Sequence, residues 1–234
     1  MLRFLATLLA ALPAGLPAGL PLGHSVQGRL VQPVVLGSAA PAHRVLVVGC
    51  IHGNEPAGMA VTRALAEAKP LAGTEIVVVQ TVNPDGCLAL HTRQNARGVD
   101  LNRNFPSNWA RIGRPGSFQY SGPRPLSEPE SRYFVALVRA VRPAVTIVFH
   151  QHEDVVRAWG RSVPTARRFT ALLGGVLPYS SMPWPYGTEA NWQNHALPGT
   201  AAFVVELPAG PVPTALVPRY VEAVRQLARE GASR

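Results

Sequence analysis

Charge and cysteine are both scarce in this chain. Asp, Glu, Lys and Arg make up 15% of its 234 residues, with 13 acidic against 22 basic, for a formal net charge of +9. No Lys/Arg run reaches five residues, and the arginines at 93, 97, 103, 111, 114, 124, 132, 139 and 142 are dispersed, so the basic excess carries no nucleic-acid footprint and fits an anionic surface or an acidic substrate better. Two cysteines, Cys50 and Cys87, are too few for a disulfide scaffold and leave open either one bridge or two buried thiols. No internal repeat and no second compositional block is visible. With 47% hydrophobic residues and weak charge, disorder is excluded and one sizeable core is expected. The 23 prolines and 21 glycines fall mostly between apolar runs, as loop punctuation.

Residues 1–23 carry one early cation, Arg3, then an uncharged Leu/Ala stretch interrupted by Pro13, Pro17 and Pro21. This is the pattern of a cleaved export signal, with cleavage placed between Ala14 and Gly23, and the prolines argue against a spanning helix. An uncleaved apolar arm of a cytoplasmic protein is the alternative. Residues 24–234 then form one catalytic-sized domain.

Five β-branched runs follow, at 30–37, 43–50, 75–86, 144–151 and 201–208, alternating with helical patterns near Pro56–Lys69, Ser127–Arg142, Pro164–Val176 and Ala215–Glu230. The alternation predicts an α/β fold, a three-layer α/β/α sandwich around a mixed, mostly parallel sheet. Ser127 with Glu130 reads as a capping box, and Tyr133, Phe134, Leu137, Val138 and Val141 as the buried face behind it.

In open α/β sheets, ligand sites lie at the carboxyl ends of strands, and there the polar residues collect. His52 and Glu55 sit three apart just before Pro56, where imidazole and carboxylate can converge on zinc. A catalytic zinc needs a third protein ligand. His150, ending a buried apolar strand, is the candidate, with His152 a rival if the strand continues and shares its face. Asn83-Pro84-Asp85-Gly86 is a turn by composition. The stretch 92–106 concentrates Arg93, Arg97, Arg103, Asn95, Asn102 and Asn104, donors suited to carboxylates and oxyanions. Glu206, after an apolar lead-in, is a candidate base.

HGNE at 52–55, NPDG at 83–86, GVDLNRNFP at 98–106, the strand-end His150 and VVEL with Glu206 occur together, in an order that resembles the zinc metallocarboxypeptidases of the carboxypeptidase A type. HSVQGR at 24–29 resembles that family's opening segment. The HQ after the strand and the WQNH…VVELPAG ending look most like its bacterial murein peptide amidase branch. The resemblance implies one Zn²⁺ held by His52, Glu55 and His150, with Glu206 as general base. It also implies that Arg93 polarises the scissile carbonyl and that Asn102 and Arg103 bind a substrate carboxylate. Tyr186 is the nearest match to the family's closing tyrosine, although its segment is shortened and Pro-rich. Trp184 and Trp192 are expected to pack the pocket wall.

The implied function is zinc-dependent hydrolysis of a peptide amide near a free carboxylate, in peptidoglycan stem peptides of the γ-D-glutamyl-diaminopimelate type or as a carboxypeptidase. Two alternatives stand beside it: a zinc deacylase of N-acyl amino acids, aspartoacylase-like, and a non-catalytic wall-binding module. The expected partners are a peptide or muropeptide and an anionic cell wall, in a secreted or cell-envelope setting, with no nucleic acid.

Overall fold

A computed structural model describes residues 19–37 and 40–231. Two short strands, β1 (Gly23–His24) and β2 (Leu30–Val31), pair antiparallel. There follow β3 (Val34–Gly37), β4 (His43–Val48), α1 (Gly58–Ala66), β5 (Thr74–Val79), α2 (Pro129–Val141), β6 (Val145–Gln151) and β7 (Val155–Ala158). The chain continues through α3 (Val163–Leu172), β8 (Tyr179–Ser181), α4 (Glu189–Ala196), β9 (Ala201–Leu207) and α5 (Val217–Glu230). Strands β3 to β9 form one seven-stranded sheet in the order β3-β5-β4-β6-β9-β7-β8. Its centre, β5-β4-β6-β9, is parallel, while β3 pairs antiparallel with β5 and β7 antiparallel with β9.

Parallel strands covered on both faces read as continuous apolar runs, and period-two alternation then sorts their side chains. Val45, Val47, Ile147, Phe149, Phe203 and Val205 face one way and pack against α1, α3 and α5. Leu46, Val48 and Val148 face the other way, against Phe134, Leu137, Val138 and Val141 of α2 and Trp192 of α4. This is the expected three-layer sandwich. It also sends His150 and Glu206, one residue beyond Phe149 and Val205, to the face covered by α2 and α4.

Besides the short β1, three elements went unanticipated. Strands β7 and β8 are short, and β8 (Tyr-Ser-Ser) has no apolar alternation. Helix α4 buries Glu189, Ala190, Asn191, Trp192, Gln193 and Asn194 in succession, so it has no single apolar stripe to betray it. The start of α2 corrects an expectation. Glu128, not Ser127, occupies its N-cap, without a side-chain cap bond. The Ser127 hydroxyl donates to Glu128 (2.7 Å), and Glu130 accepts from the backbone N–H of Val26 (2.9 Å), so Glu130 anchors the early chain instead of closing a capping box. Of the proposed leader, residues 1–18 lie outside the described residues, whereas Gly23 already belongs to β1 and lies flat against the Tyr133 ring.

Candidate metal centre and catalytic cavity

The centre is built where β4, β5, β6 and β9 end. After β4, the chain turns through Cys50–Glu55, the Glu55 N–H bonding back to the His52 carbonyl at 2.9 Å. The turn is clamped from the β5 side. Asn83 donates its amide to the Ile51 carbonyl (3.0 Å), and Cys50 and Cys87 form a disulfide, settling in favour of the bridge what composition left open. Gly53 is required at this contact: a Cβ there would lie 2.2 Å from the backbone of both Gly86 and Thr92. The NPDG turn opens a single helical turn, Asp85–Leu90, with the Asp85 carboxylate taking hydrogen bonds from Ser25, Gln27 and Arg29.

His52 Nδ1 and His150 Nδ1 lie 2.9 and 3.0 Å from Glu55 Oε2, and 3.2 Å from each other. Two imidazole nitrogens and a carboxylate oxygen thus meet at one point, all within 4.8 Å of one another and all buried. Zinc accepts this set, and donors placed tetrahedrally on it stand roughly 3.4 Å apart, close to the contacts seen. Among the described residues these three form the sole cluster of potential ligands, and His152 is excluded: β6 ends at Gln151, and His152 is exposed at the cavity edge.

Behind the ligands, Asp100 Oδ1 accepts from His52 Nε2 (3.0 Å) and from the Asn102 N–H (2.9 Å), while Asp100 Oδ2 accepts from Arg93 Nε (2.9 Å). Arg93 Nη1 bonds Glu55 Oε1 at 3.0 Å, so this arginine bridges a ligand and the acid that orients another. Burial alone would raise the Glu55 carboxyl, but the two histidines outweigh it and hold it well below the ordinary carboxylate range. The same contest, won by His52, Arg93 and Arg103, keeps Asp100 ionised. His150 is pushed up to about 10: burial opposes its charge, and Glu189 and Glu55 overcome burial.

Glu206 sits directly beside His150 in the β6–β9 register. Its Oε2 has no hydrogen-bond partner. Burial raises its carboxyl above the usual value, with the His150 charge opposing.

A cavity of about 380 Å³ opens over these groups, lined also by Arg93, Asn102, Arg103, Arg157, Trp184 and Glu189. Asn102 points its amide nitrogen toward His150 Nε2 (3.4 Å), and Arg103 Nη1 donates to the Asn102 carbonyl (2.6 Å). Of the residues anticipated as functional, the fold gathers His52, Glu55, Arg93, Asn102, Arg103, His150 and Glu206 at the cavity; it leaves out Asn95 and Arg97, which pair with Glu128, Asn104, which bonds Ser121 and Ser127, and Tyr186. That side chain is 59% exposed and absent from the cavity lining, because Gly187 is pinned by backbone bonds to Phe105 and Ser107 and the turn faces outward. Trp184 lines the wall as expected, whereas Trp192 belongs to the core, stacked on Phe105. Glu189 and Arg157 were missed; only the Thr188 N-cap, whose hydroxyl accepts from the Asn191 N–H, marks the helix that carries Glu189.

A family model described as zinc carboxypeptidase matches residues 18–173. Murein peptide amidase A of Escherichia coli K12 is 34% identical over 145 residues, covering 54% of this chain and 57% of that protein. Its counterpart from Vibrio campbellii is 28% identical over 187 residues, covering 70% and 69%. The chain thus spans little more than half of the first relative. The crystal structure of murein-tripeptide amidase from E. coli O157 superposes with a TM-score of 0.69 at 25% identity, over 92% of this chain and 94% of that one.

Proposed function

This chain belongs to the zinc carboxypeptidase family, and from that premise we propose that it cleaves an amide in peptidoglycan stem peptides, at the γ-D-glutamyl–diaminopimelate bond. It is a zinc-dependent hydrolase. The finer substrate reading is supported by the murein peptide amidases it resembles over most of its described fold. The observation that carries the chemistry is the convergence of His52, Glu55 and His150 beside an unpartnered Glu206 carboxylate oxygen in a cavity walled by arginine and asparagine.

Zinc bound by these three residues supplies Lewis acidity toward a carbonyl and toward water. The remaining roles fall to the chain's own groups. Glu206 Oε2 takes the proton of the attacking water and returns it to the leaving amine; a carboxyl raised by burial is poised to do both. Arg93, fixed at the rim by Glu55 and Asp100, faces its guanidinium charge to the oxygen that becomes negative. Asn102 and Arg103 present donors to the substrate's free carboxylate, and the latter's buried guanidinium, largely desolvated, gains much from an anionic partner. The apolar leader ahead of β1 acts as an export signal, and the basic excess that remains after its removal, 21 Lys and Arg against 13 Asp and Glu, holds the exported enzyme to an anionic wall.

The test is product analysis on a γ-D-glutamyl-diaminopimelate tripeptide, on peptides offering only a C-terminal residue, and on N-acetyl-aspartate, each with and without chelator. Chelator-sensitive release of diaminopimelate from the first is expected. Preferred C-terminal trimming or deacetylation would replace the substrate reading while leaving the zinc peptidase fold in place.

A further inference from the structure

Each zinc-binding imidazole presents Nδ1 to the ligand cluster, which leaves its proton on Nε2, and a buried N–H requires an acceptor. His52 has one in Asp100, at 3.0 Å. His150 Nε2 has only two neighbours among the polar contacts of the described residues: Asn102 Nδ2 at 3.4 Å and Glu189 Oε1 at 3.8 Å. The Asn102 amide cannot serve. Its oxygen accepts the backbone N–H of Glu189 at 3.1 Å, and turning the amide over would set an NH₂ against that N–H.

Glu189 is itself anomalous. It is 1% exposed, both of its carboxylate oxygens lie away from solvent, and neither has a hydrogen-bond partner. A carboxylate buried in that state is costly unless a cation or donor answers it. Its backbone is held at the first turn of α4 by the Thr188 cap and by Asn102, so the side chain is delivered to one place, behind the His150 ring.

We propose that Glu189 is the positioning residue for His150, accepting its Nε2–H and fixing tautomer and ring plane for zinc, as Asp100 does for His52. At 3.8 Å the pair is an ion-pair contact, longer than a hydrogen bond, so acceptance of the Nε2–H requires the two groups to approach more closely. The inference rests on zinc occupancy at His52, Glu55 and His150 and is independent of which amide is cut. Glu189 lines the cavity, yet both of its carboxylate oxygens are closed to solvent, so KM and zinc affinity together separate a substrate contact from the positioning role.

The experiment is a chelator-competition zinc titration of the full chain, for wild type, Glu189→Ala and Glu189→Gln, with cobalt-substituted visible spectra and the melting temperature of each metal-free protein. Glu189→Ala should bind zinc about 10- to 100-fold more weakly, the typical cost of losing such a partner. Glu189→Gln, which keeps an acceptor and loses the charge, should fall between and shift the cobalt bands. If the wild type binds no zinc, the zinc reading itself fails. If the wild type binds tightly and Glu189→Ala matches it, the inference is overturned, and a raised KM with unchanged zinc affinity overturns it equally, by making Glu189 a substrate contact. Should Glu189→Ala not fold, Glu189→Gln decides: unchanged affinity and an unchanged cobalt spectrum refute the role.

Discussion

Glu206→Gln isolates the proposed base. The substitution preserves side-chain volume and leaves Oε1 an acceptor, but removes the carboxylate that accepts and returns the proton. Glu206 stands outside the ligand cluster, beside His150 in the strand register, so zinc content should remain at one ion per chain. Loss of a positioned acid–base group typically costs about 10²- to 10⁴-fold in rate. At 1.36 kcal/mol per decade that is roughly 2.7 to 5.4 kcal/mol of transition-state stabilisation. The pH profile supplies a second signature. Because burial raises the Glu206 carboxyl, the base becomes competent only as pH rises through a value above that of an ordinary glutamate, giving kcat/KM an acidic limb that the variant lacks. Zinc analysis, melting temperature and steady-state turnover on the tripeptide should be measured together. A zinc-replete Glu206→Gln protein with most of its turnover would refute the assigned base, and loss of zinc alongside turnover would make Glu206 a ligand instead.

Reducing the Cys50–Cys87 bridge, which closes a separation of 37 residues, should destabilise the fold by about 4 kcal/mol on loop entropy, read as a lower urea midpoint. Zinc must displace a proton from a His150 raised to about 10, so affinity measured by chelator competition should climb with pH between about 6 and 8, by up to about tenfold per unit. A flat profile would show that His150 is already neutral. Gly53→Ala drives a methyl into the backbone of Gly86 and Thr92; metal content and melting temperature should both fall, and retention of full zinc would show that the turn can yield. In Asp85, hydrogen bonds from Ser25, Gln27 and Arg29 outweigh burial and lower the carboxyl. That stability is present above the unfolded value and is lost as pH falls below about 4, so Asp85→Asn should melt earlier at neutral pH and show a flatter acid limb by calorimetry.

What could be read from the residues was whatever is encoded over a few positions. Apolar β-branched runs announced β4, β5, β6 and β9, and 3.6-residue stripes announced α2 and α5, because these elements bury one continuous face each. Helix α4 was silent, being buried nearly all round while half polar. The pairing of Ser127 with Glu130 looked like a local cap, yet long-range partners, Val26 and Asn95, claimed the acid at 130. Tyr186 was assigned to the cavity by resemblance, and backbone bonds from Gly187 turned it away.

The sequence by itself determined His52 and Glu55 as ligand candidates, narrowed the third to His150 or His152, and marked Glu206 and the α/β layers, since His-x-x-Glu and strand-ending polar residues are short-range patterns; the full ligand set came from the family resemblance. Tertiary structure alone decided the disulfide, the exclusion of His152, the bridging role of Arg93 and the presence of Glu189 behind His150. Each of these depends on distances between segments tens of residues apart. Only the order of strands in the folded sheet sets such distances, and the scarcity of charge makes each buried carboxylate found there conspicuous.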